Sequence, residues 1–565
     1  MQSRAFNALV IALLAALLGV FLVLPLLESV RGAVIDRDGN WTAGYLLSVF
    51  SNPIYMEGLW NALGIAFFST ALAALAGILL AVVLDRYDFP GKRLLSVLLP
   101  FPLIVPPFVG AVGIKQLLGQ SGALNAFLIK LGVVDSSAPI DWLRDGRFAA
   151  VVLLTALHLY PIVYFNVSAA LASFNIDLEE AAQSLGASRL RAFRKITLPT
   201  IGPSVLASTS IVFIWALTEL GVPLMCDYTR VTSVQIFSGL KDISQNPSVY
   251  GLVVVLLGTV LTLYGLSALL AFGKTTPLAT KGVRLRRPER LSSGRALLLS
   301  AAVGGFLLLA AAPNAGVLLV AVAGDWYGTV LPSSYTLQHF RAALGHDLVV
   351  PSILNSLRYV LLSTTCDLLL GTAIAWVLVR ARGTAVRVLD LAVMLPLAVP
   401  GLVMAFGYLA VSREGRPLAA LNPVADPTVL LVVAYSIRRL PFVVRSAAAG
   451  LTQVSTALEE AAQNLGAGRL KTFWRVTLPL FAPHLLAGGV FAFALSLLEV
   501  SDSLILAQRQ ATFPITKAIF ELFQMLGNGR QVAAALGVWA MVFLASAIAL
   551  TRALLGRGLG TIFRL

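Results

Sequence analysis

The 565 residues of this chain are 58% hydrophobic and only 12% charged, and its 42 lysine and arginine residues exceed its 27 aspartate and glutamate residues by 15. Soluble globular proteins are about 45–50% apolar and about 25% charged, so this composition excludes them. The basic residues form short clusters between apolar runs, which indicates cytoplasmic loops and does not favour nucleic acid as a partner. We therefore predict an all-α polytopic membrane protein in a lipid bilayer.

Twelve apolar runs are long enough to be transmembrane helices. The first run follows Arg4 and is longer than the core of a signal peptide, so we expect it to stay in the chain with its amino terminus in the cytoplasm. The runs form two groups of six, at 8–28, 59–84, 94–117, 148–172, 203–224 and 249–272, and then at 296–322, 352–380, 388–411, 427–450, 483–507 and 532–556.

A basic segment, 273–295, separates the two groups of helices and contains seven lysine or arginine residues and one glutamate. The positive-inside rule predicts that this linker is cytoplasmic. The predicted domains are a first half at 1–272, the linker, and a second half at 296–565. Because six crossings return each half to the cytoplasm, we expect both termini there and both halves in the same orientation, with the translocation path between them.

An internal repeat is the most informative feature of the sequence. Residues 178–199 recur 280 positions later as 458–479, with fifteen of twenty-two residues identical. The repeated segment carries too many charges to cross a bilayer, so we expect a loop outside the hydrocarbon core. Gly186 is expected to stop a first short helix in a left-handed conformation. A second short helix is expected over Arg189 to Lys195, ended by Thr197-Leu198-Pro199.

Three elements occur in the same order in both copies of the repeat: Glu-Ala-Ala, a glycine, and an aliphatic residue followed by x-Leu-Pro. They are Glu180-Ala181-Ala182, Gly186 and Ile196-x-Leu198-Pro199 in the first copy, and Glu460-Ala461-Ala462, Gly466 and Val476-x-Leu478-Pro479 in the second. This arrangement resembles the EAA loop of binding-protein-dependent ABC importer permeases, with valine for isoleucine as the departure. The resemblance implies two homologous six-helix permease halves with the type I importer (MetI-like) fold.

The resemblance also implies partners. Each loop is expected to form a coupling helix in a groove of an ATPase subunit, so two copies of that subunit are expected, and a periplasmic or lipid-anchored substrate-binding protein is expected at the bacterial inner membrane. Leu185, Leu190 and Phe193 are expected to add apolar docking contacts. The residues expected to couple the permease to the ATPase are Glu179, Glu180, Ala181, Ala182, Gly186, Leu198 and Pro199, and Glu459, Glu460, Ala461, Ala462, Gly466, Leu478 and Pro479.

The sequence contains no plausible nucleotide-binding domain. Gly273-Lys274-Thr275 has Ala268 where a phosphate-binding loop requires its first glycine, and an apolar helix precedes it where a strand is required. We therefore predict that this chain binds no cofactor and is not an enzyme. ATP and Mg²⁺ would belong to the partner ATPase, which would hydrolyse ATP.

Four charged residues in the predicted membrane helices are candidates for the translocation path. Glu219 and Glu499 occupy equivalent positions in the fifth and eleventh helices, and Arg438 and Arg439 lie in the tenth. The glutamates could contact a cation transiently, or they could cap helix ends. The arginines could contact an anionic substrate, although pairing with Glu499 is favoured because unpaired charges are costly in lipid. We predict a packed, hydrogen-bonded role for His158 and no stable metal site.

Proline-rich segments are predicted to break the third and ninth helices. They are Pro100-Phe101-Pro102 with Pro106-Pro107, and Pro396 with Pro400-Gly401. Broken helices need protein or water to satisfy the freed backbone groups, so these breaks are candidate gates or ordinary kinks.

A single chain with two complete permease halves resembles the ferric-iron and thiamine group of importers. Ferric iron is favoured, because it is a hard ion that prefers oxygen ligands such as the two glutamates. Thiamine, phosphonate, polyamine and sulfate remain alternative substrates. A proton-coupled secondary carrier and a membrane scaffold are less favoured, since neither needs a duplicated loop for an ATPase.

Overall fold

The computed structural model describes residues 4–36, 38–104, 107–143, 146–240, 246–271 and 288–555. Within this part of the chain, nine helices are long and apolar enough to cross a membrane, or up to eleven if each of two bent pairs forms one span. The tenth predicted helix is present with full length but carries three arginines. Several predicted features lie outside the described residues: linker positions 273–287, Pro106, and the carboxyl-terminal basic residues after 555.

The helices before the linker follow the predicted runs, with additional short helices between them. They are α1 (Arg4–Leu18), α2 (Leu24–Val34), α3 (Gly44–Ser51), α4 (Pro53–Arg86), α5 (Lys92–Leu98), α6 (Phe101–Ile104), α7 (Pro107–Leu118), α8 (Ala123–Lys130), α9 (Arg147–Ala172), α10 (Asp177–Ser184), α11 (Arg189–Ala192), α12 (Leu198–Leu217), α13 (Gly221–Met225), α14 (Thr232–Gly239) and α15 (Ser248–Ala271).

The helices after the linker have a similar order. They are α16 (Ser293–Val322), α17 (Gln338–Leu344), α18 (Val349–Arg380), α19 (Thr384–Met394), α20 (Gly401–Val411), α21 (Thr428–Gln453), α22 (Thr456–Asn464), α23 (Arg469–Thr472), α24 (Leu478–Leu497), α25 (Ser501–Leu506), α26 (Ile515–Gln524) and α27 (Gly529–Leu555).

The remaining regular elements are short. The π-helical turns are Gly19–Val23, Phe193–Thr197 and Phe473–Thr477, and the 3-10 turns are Leu395–Leu397, Ala419–Leu421 and Gln510–Thr512. Strand β1 (Tyr87–Asp88) pairs in parallel with β2 (Glu289–Arg290), and β3 (Ala323–Asp325) pairs antiparallel with β4 (Ser334–Tyr335).

The described chain divides into two compact units that differ from the predicted halves. Unit 1 comprises residues up to 53, 236–257, and 339 onward, and unit 2 comprises 54–235 and 258–338. The first helix of each half therefore belongs to the unit that holds most of the other half. An apolar run predicts that a helix spans the membrane but not which neighbour it packs against, and for this reason the exchange was not predicted.

Each exchanged helix is integrated by close packing within its unit. In unit 1, α2 packs against α20, and the hydroxyl of Tyr408 donates a hydrogen bond of 2.6 Å to the carbonyl of Phe21. In unit 2, α16 packs against α7, where a Cβ on Gly113 would collide with the backbone at Pro313 and Val317. These contacts attach the first helix of each half to its unit.

The third and ninth predicted helices are broken, as the prolines predicted. The two arms of the third diverge by 97° and those of the ninth by 100°. The apolar runs at 94–117 and 388–411 are therefore each a bent pair of helices. Proline lacks the N–H group of a regular helix and clashes with the preceding turn, which accounts for both breaks.

The fifth and eleventh helices begin and end differently from the prediction. The fifth helix runs from Arg189 through a π-helical turn to Leu217, and the eleventh helix runs from Arg469 to Leu497. The prediction that Pro199 ends a short helix is wrong, because Pro199 lies in the first turn of α12, directly after the π-helical turn. Proline is tolerated in a first turn because its missing N–H would have no helical partner there.

Candidate functional site

The repeated segments 178–199 and 458–479, here named loop 1 and loop 2, have closely similar backbones. Gly186 has a φ of 89° and Gly466 a φ of 83°, so both adopt the predicted left-handed conformation. Each glycine is followed by an alanine whose N–H donates a hydrogen bond back to the preceding helix. Ala187 donates to the carbonyl of Ala182 at 3.0 Å, and Ala467 donates to the carbonyl of Ala462 at 3.0 Å. This Schellman turn confirms the predicted helix stop and points the chain sharply toward the next helix.

Loop 1 is attached to the end of α4 by a buried ion pair. Arg86, the last residue of α4, donates to Glu179 at 2.7 Å, and the hydroxyl of Thr197 donates to the other carboxylate oxygen at 2.9 Å. The Arg86 guanidinium also lies over the Phe193 ring, 5.1 Å from its centroid. Glu179 is only 1% exposed. It therefore connects α4, α10 and the π-helical turn instead of facing a partner.

Loop 2 repeats this attachment at the end of α18. Arg380 donates to Glu459 at 2.8 Å and to the carbonyl of Val454 at 3.0 Å, and Thr477 donates to Glu459 at 3.3 Å. Sequence reasoning did not predict that these two arginines pair with the glutamates of the loops. The signal was available, since Arg86 and Arg380 are 294 positions apart, as are Asn61 and Asn355 at the start of the second and eighth predicted helices.

The remaining predicted coupling residues lie on or near the surface of the loops. In both loops the second glutamate, the first alanine, the glycine and the proline are exposed, and the second alanine and the leucine before the proline are half-buried. Leu185 and Leu465 project beside the glycines and are about nine-tenths exposed. Phe193 is half-buried under Arg86, so the apolar docking contact predicted for it is less accessible than those of the leucines.

The prediction that Glu219 and Glu499 lie inside helices is wrong. They lie in the breaks that follow α12 and α24. The carboxylate of Glu219 accepts hydrogen bonds from the N–H groups of Gly221 at 3.0 Å and Val222 at 3.2 Å. Its carbonyl accepts a bond of 2.7 Å from the hydroxyl of Ser233. In a continuous helix this carbonyl would accept a hydrogen bond from a backbone N–H of the same helix. Here the hydroxyl of a residue on α14 donates that bond, which stabilises the break.

Glu499 has the same backbone arrangement but a different side-chain environment. Arg438 lies 2.7 Å from one carboxylate oxygen of Glu499, and Arg439 pairs with the other. Arg438 also pairs with Asp502 at 3.2 Å, and Arg439 donates to the carbonyl of Leu495 at 3.1 Å. The structure thus confirms the predicted pairing of both arginines with Glu499. We name Arg438, Arg439, Glu499 and Asp502 the ion cluster.

The ion cluster also contacts the break in the ninth helix. A Cβ on Gly401, at the start of α20, would collide with the Arg438 guanidinium. At the equivalent place in the first half, His158 lies 2.8 Å from the carbonyl of Pro102 in the broken third helix, which confirms its predicted hydrogen bond. A further buried carboxylate, Asp367 on α18, accepts a bond of 2.6 Å from Ser436 and was missed because it is isolated within an apolar run.

The two halves thus share a backbone plan but differ in charge. The ion cluster occurs in the second half, where the positions equivalent to Arg438, Arg439 and Asp502 in the first half are His158, Leu159 and Val222. This difference confines the ion cluster to unit 1.

Comparisons with known proteins agree with the duplicated plan. The family model for the binding-protein-dependent transport system inner membrane component matches twice, at residues 73–274 and 367–554. A probable ABC transporter permease of Sinorhizobium fredii is 28% identical over 502 residues, which cover 86% of each chain. A ferric transport system permease of Actinobacillus pleuropneumoniae is 26% identical over 468 residues, covering 81% of this chain and 64% of that protein. A sulfate transport system permease of Salmonella typhimurium is 29% identical over 254 residues, covering 44% of this chain and 88% of that protein.

Proposed function

Because the chain belongs to the family of binding-protein-dependent transport system inner membrane components and is a permease of an ABC importer, we propose that it forms the translocation path for ferric iron. The layout of two fused halves supports this substrate. The relative named for ferric transport aligns with 81% of the chain, whereas the relative named for sulfate transport aligns with 44%. Thiamine, phosphonate and polyamine remain alternatives within the same importer class.

The proposed contact with a ferric ion is retained for Glu219 and not for Glu499. Both carboxylate oxygens of Glu499 are paired with guanidinium groups. Ligation of a metal would require these buried ion pairs to break, which is costly in a low-dielectric environment. The ion cluster is therefore better suited to holding two helix breaks together than to binding a cation.

We further propose that two copies of a separate ATPase subunit dock on loop 1 and loop 2, hold ATP and Mg²⁺, and carry out hydrolysis. The exposed residues around Gly186 and Gly466 support this role, since each glycine turn presents a leucine to the surroundings. We expect the permease itself to supply no catalytic residue. A periplasmic or lipid-anchored binding protein would deliver the substrate at the outer face of the bacterial inner membrane, with both termini of this chain in the cytoplasm.

Reconstitution tests the proposed function directly. The chain would be placed in proteoliposomes with its co-purifying ATPase and with candidate binding proteins loaded with ferric iron, thiamine or sulfate. We expect uptake of radioactive iron that requires both ATP and the iron-loaded binding protein. Uptake of thiamine or sulfate alone would correct the substrate. Transport by the isolated chain down a proton gradient would instead identify a secondary carrier.

The left-handed glycines provide a test of coupling. Gly186→Val and Gly466→Val are expected to lower uptake at least tenfold while leaving membrane insertion intact, because a β-branched residue is strained at positive φ. Asparagine tolerates this conformation, so Gly186→Asn and Gly466→Asn serve as matched controls that retain most uptake. Uptake and ATP hydrolysis would be measured in the same proteoliposomes. Equal uptake by the valine and asparagine variants would contradict a coupling role for the turn.

A further inference from the structure

Among the exposed positions at which the two loops differ, one directly follows the shared phenylalanine: it is Trp474 in loop 2 and Arg194 in loop 1. We propose that Trp474 is an aromatic anchor for the ATPase subunit on loop 2, whereas the subunit on loop 1 is held there by the charge of Arg194, so that the two docking sites are unequal. This inference rests on the proposed docking of ATPase subunits on both loops.

Trp474 continues an exposed apolar surface of loop 2. Its side chain is 60% exposed, Leu470 lies one helical turn earlier and is 72% exposed, and Leu465 projects from the glycine turn. Residues four apart share a helix face, so Leu470 and Trp474 present one apolar patch. Tryptophan buries more area than any other side chain and is enriched among residues that dominate binding energy.

The indole is held in place before any partner arrives. Its ring meets the Phe473 ring edge-on with centroids 5.6 Å apart, and Phe473 meets Trp376 of α18 in the same way at 5.6 Å. The Arg380 guanidinium lies 6.0 Å from the Trp376 ring. Because Trp474 is supported by this aromatic series, docking would immobilise it at little further entropic cost.

Loop 1 lacks these aromatic supports. The residue equivalent to Trp376 is Val82, and Phe193 is covered by Arg86 in place of a tryptophan. Loop 1 carries four cations, Arg189, Arg191, Arg194 and Lys195, where loop 2 has three at positions 469, 471 and 475, and the additional cation, Arg194, is exposed. Its binding should therefore depend more strongly on salt concentration than that of loop 2.

A protein groove fits this surface better than the bilayer. Leu470 and Trp474 are flanked by Arg469, Lys471 and Arg475, and charged side chains are costly within lipid. The repeat-equivalent position holds arginine, so the repeat does not require an aromatic residue at this place for membrane anchoring. Leu465, at the tip of the proposed docking turn of the same loop, is exposed as well.

Exchange of the two residues tests the proposal. Binding of the purified ATPase subunit would be titrated against the full chain in lipid nanodiscs, at low and at high salt, with the other loop disabled by its Gly→Val substitution. We expect Trp474→Arg to weaken binding to loop 2 about tenfold at high salt and to make binding more salt-dependent. Arg194→Trp should strengthen binding to loop 1 at high salt, and Trp474→Phe should retain most of the affinity.

Each contrary result has a distinct meaning. If Gly466→Val abolishes binding to loop 2 but Trp474→Arg binds like the original chain at both salt concentrations, loop 2 docks the ATPase without the anchor and the inference is wrong. If neither glycine variant alters ATPase binding, the proposed docking itself fails. Brominated lipids provide the last test, because they quench tryptophan fluorescence within the bilayer. The signal of Trp474 is the difference between the original chain and Trp474→Phe. If this signal stays quenched when the ATPase is bound, the indole lies in the bilayer and the inference is wrong.

Discussion

Arg438→Gln is expected to destabilise the folded chain by about 3–5 kcal/mol, the range measured when one partner of a buried ion pair is removed. Arg438 neutralises Glu499 and Asp502, and Asp502 is completely buried. Loss of the guanidinium would leave one arginine for two buried carboxylates. The fraction of chain that stays monodisperse in detergent after heating would report the loss.

Two variants make this prediction specific. Arg445 lies on the same helix and pairs with Asp390 at 3.1 Å, but this pair is about half exposed. Arg445→Gln is therefore expected to change the free energy of unfolding by less than about 1 kcal/mol. Adding Asp502→Asn to Arg438→Gln should restore much of the stability, because it removes the carboxylate left without a partner. If the Arg438→Gln and Arg445→Gln variants lose their monodisperse fraction at the same temperature, the ion cluster does not hold the helix breaks together.

Glu179→Gln is expected to lower substrate uptake at least tenfold while ATP hydrolysis continues. The substitution removes the charge that attaches loop 1 to Arg86, and a rigid attachment is required for movement of a docked subunit to reach α4. Glu459→Gln should have the same effect through Arg380 in loop 2. Uptake and hydrolysis would be measured together, since their ratio reports coupling independently of the amount of protein.

An exposed ion pair between loop 1 and β2 supplies the control. Arg189 and Glu289 lie 3.1 Å apart and both are more than half exposed, so Glu289→Gln is expected to change the coupling ratio less than twofold. If Glu179→Gln imports substrate as efficiently per ATP as the Glu289→Gln control, movement reaches the membrane helices by another route.

The sequence predicted those features that depend on local residue patterns. The helix stops at Gly186 and Gly466 follow from the freedom of glycine at positive φ, and the bends before Pro107 and at Pro400 follow from the missing N–H of proline. Pairing of Arg438 with Glu499 follows from the cost of an isolated charge in lipid. Each of these arguments needs only one residue and its immediate surroundings.

Features that depend on distant partners were not predictable in this way. The breaks after Leu217 and Leu497 interrupt runs that remain apolar, and they are stabilised by hydroxyl groups from helices that follow later in the chain, such as Ser233. The burial of Glu179 depends on Arg86, 93 residues earlier. A motif identifies Glu179 as one of two neighbouring acids, but only its partner decides that it faces inward.

The exchanged first helices have a consequence for synthesis of the chain. Residues of α2 reach the ribosome exit long before Tyr408 and Gly407 of α20, the residues against which they finally pack. Unit 1 therefore cannot be completed during translation of the first half, and contacts of such long sequence separation form slowly. Translation as one polypeptide keeps α2 and α20 tethered until they meet, so the covalent fusion of the halves replaces a search between separate subunits with an intramolecular one.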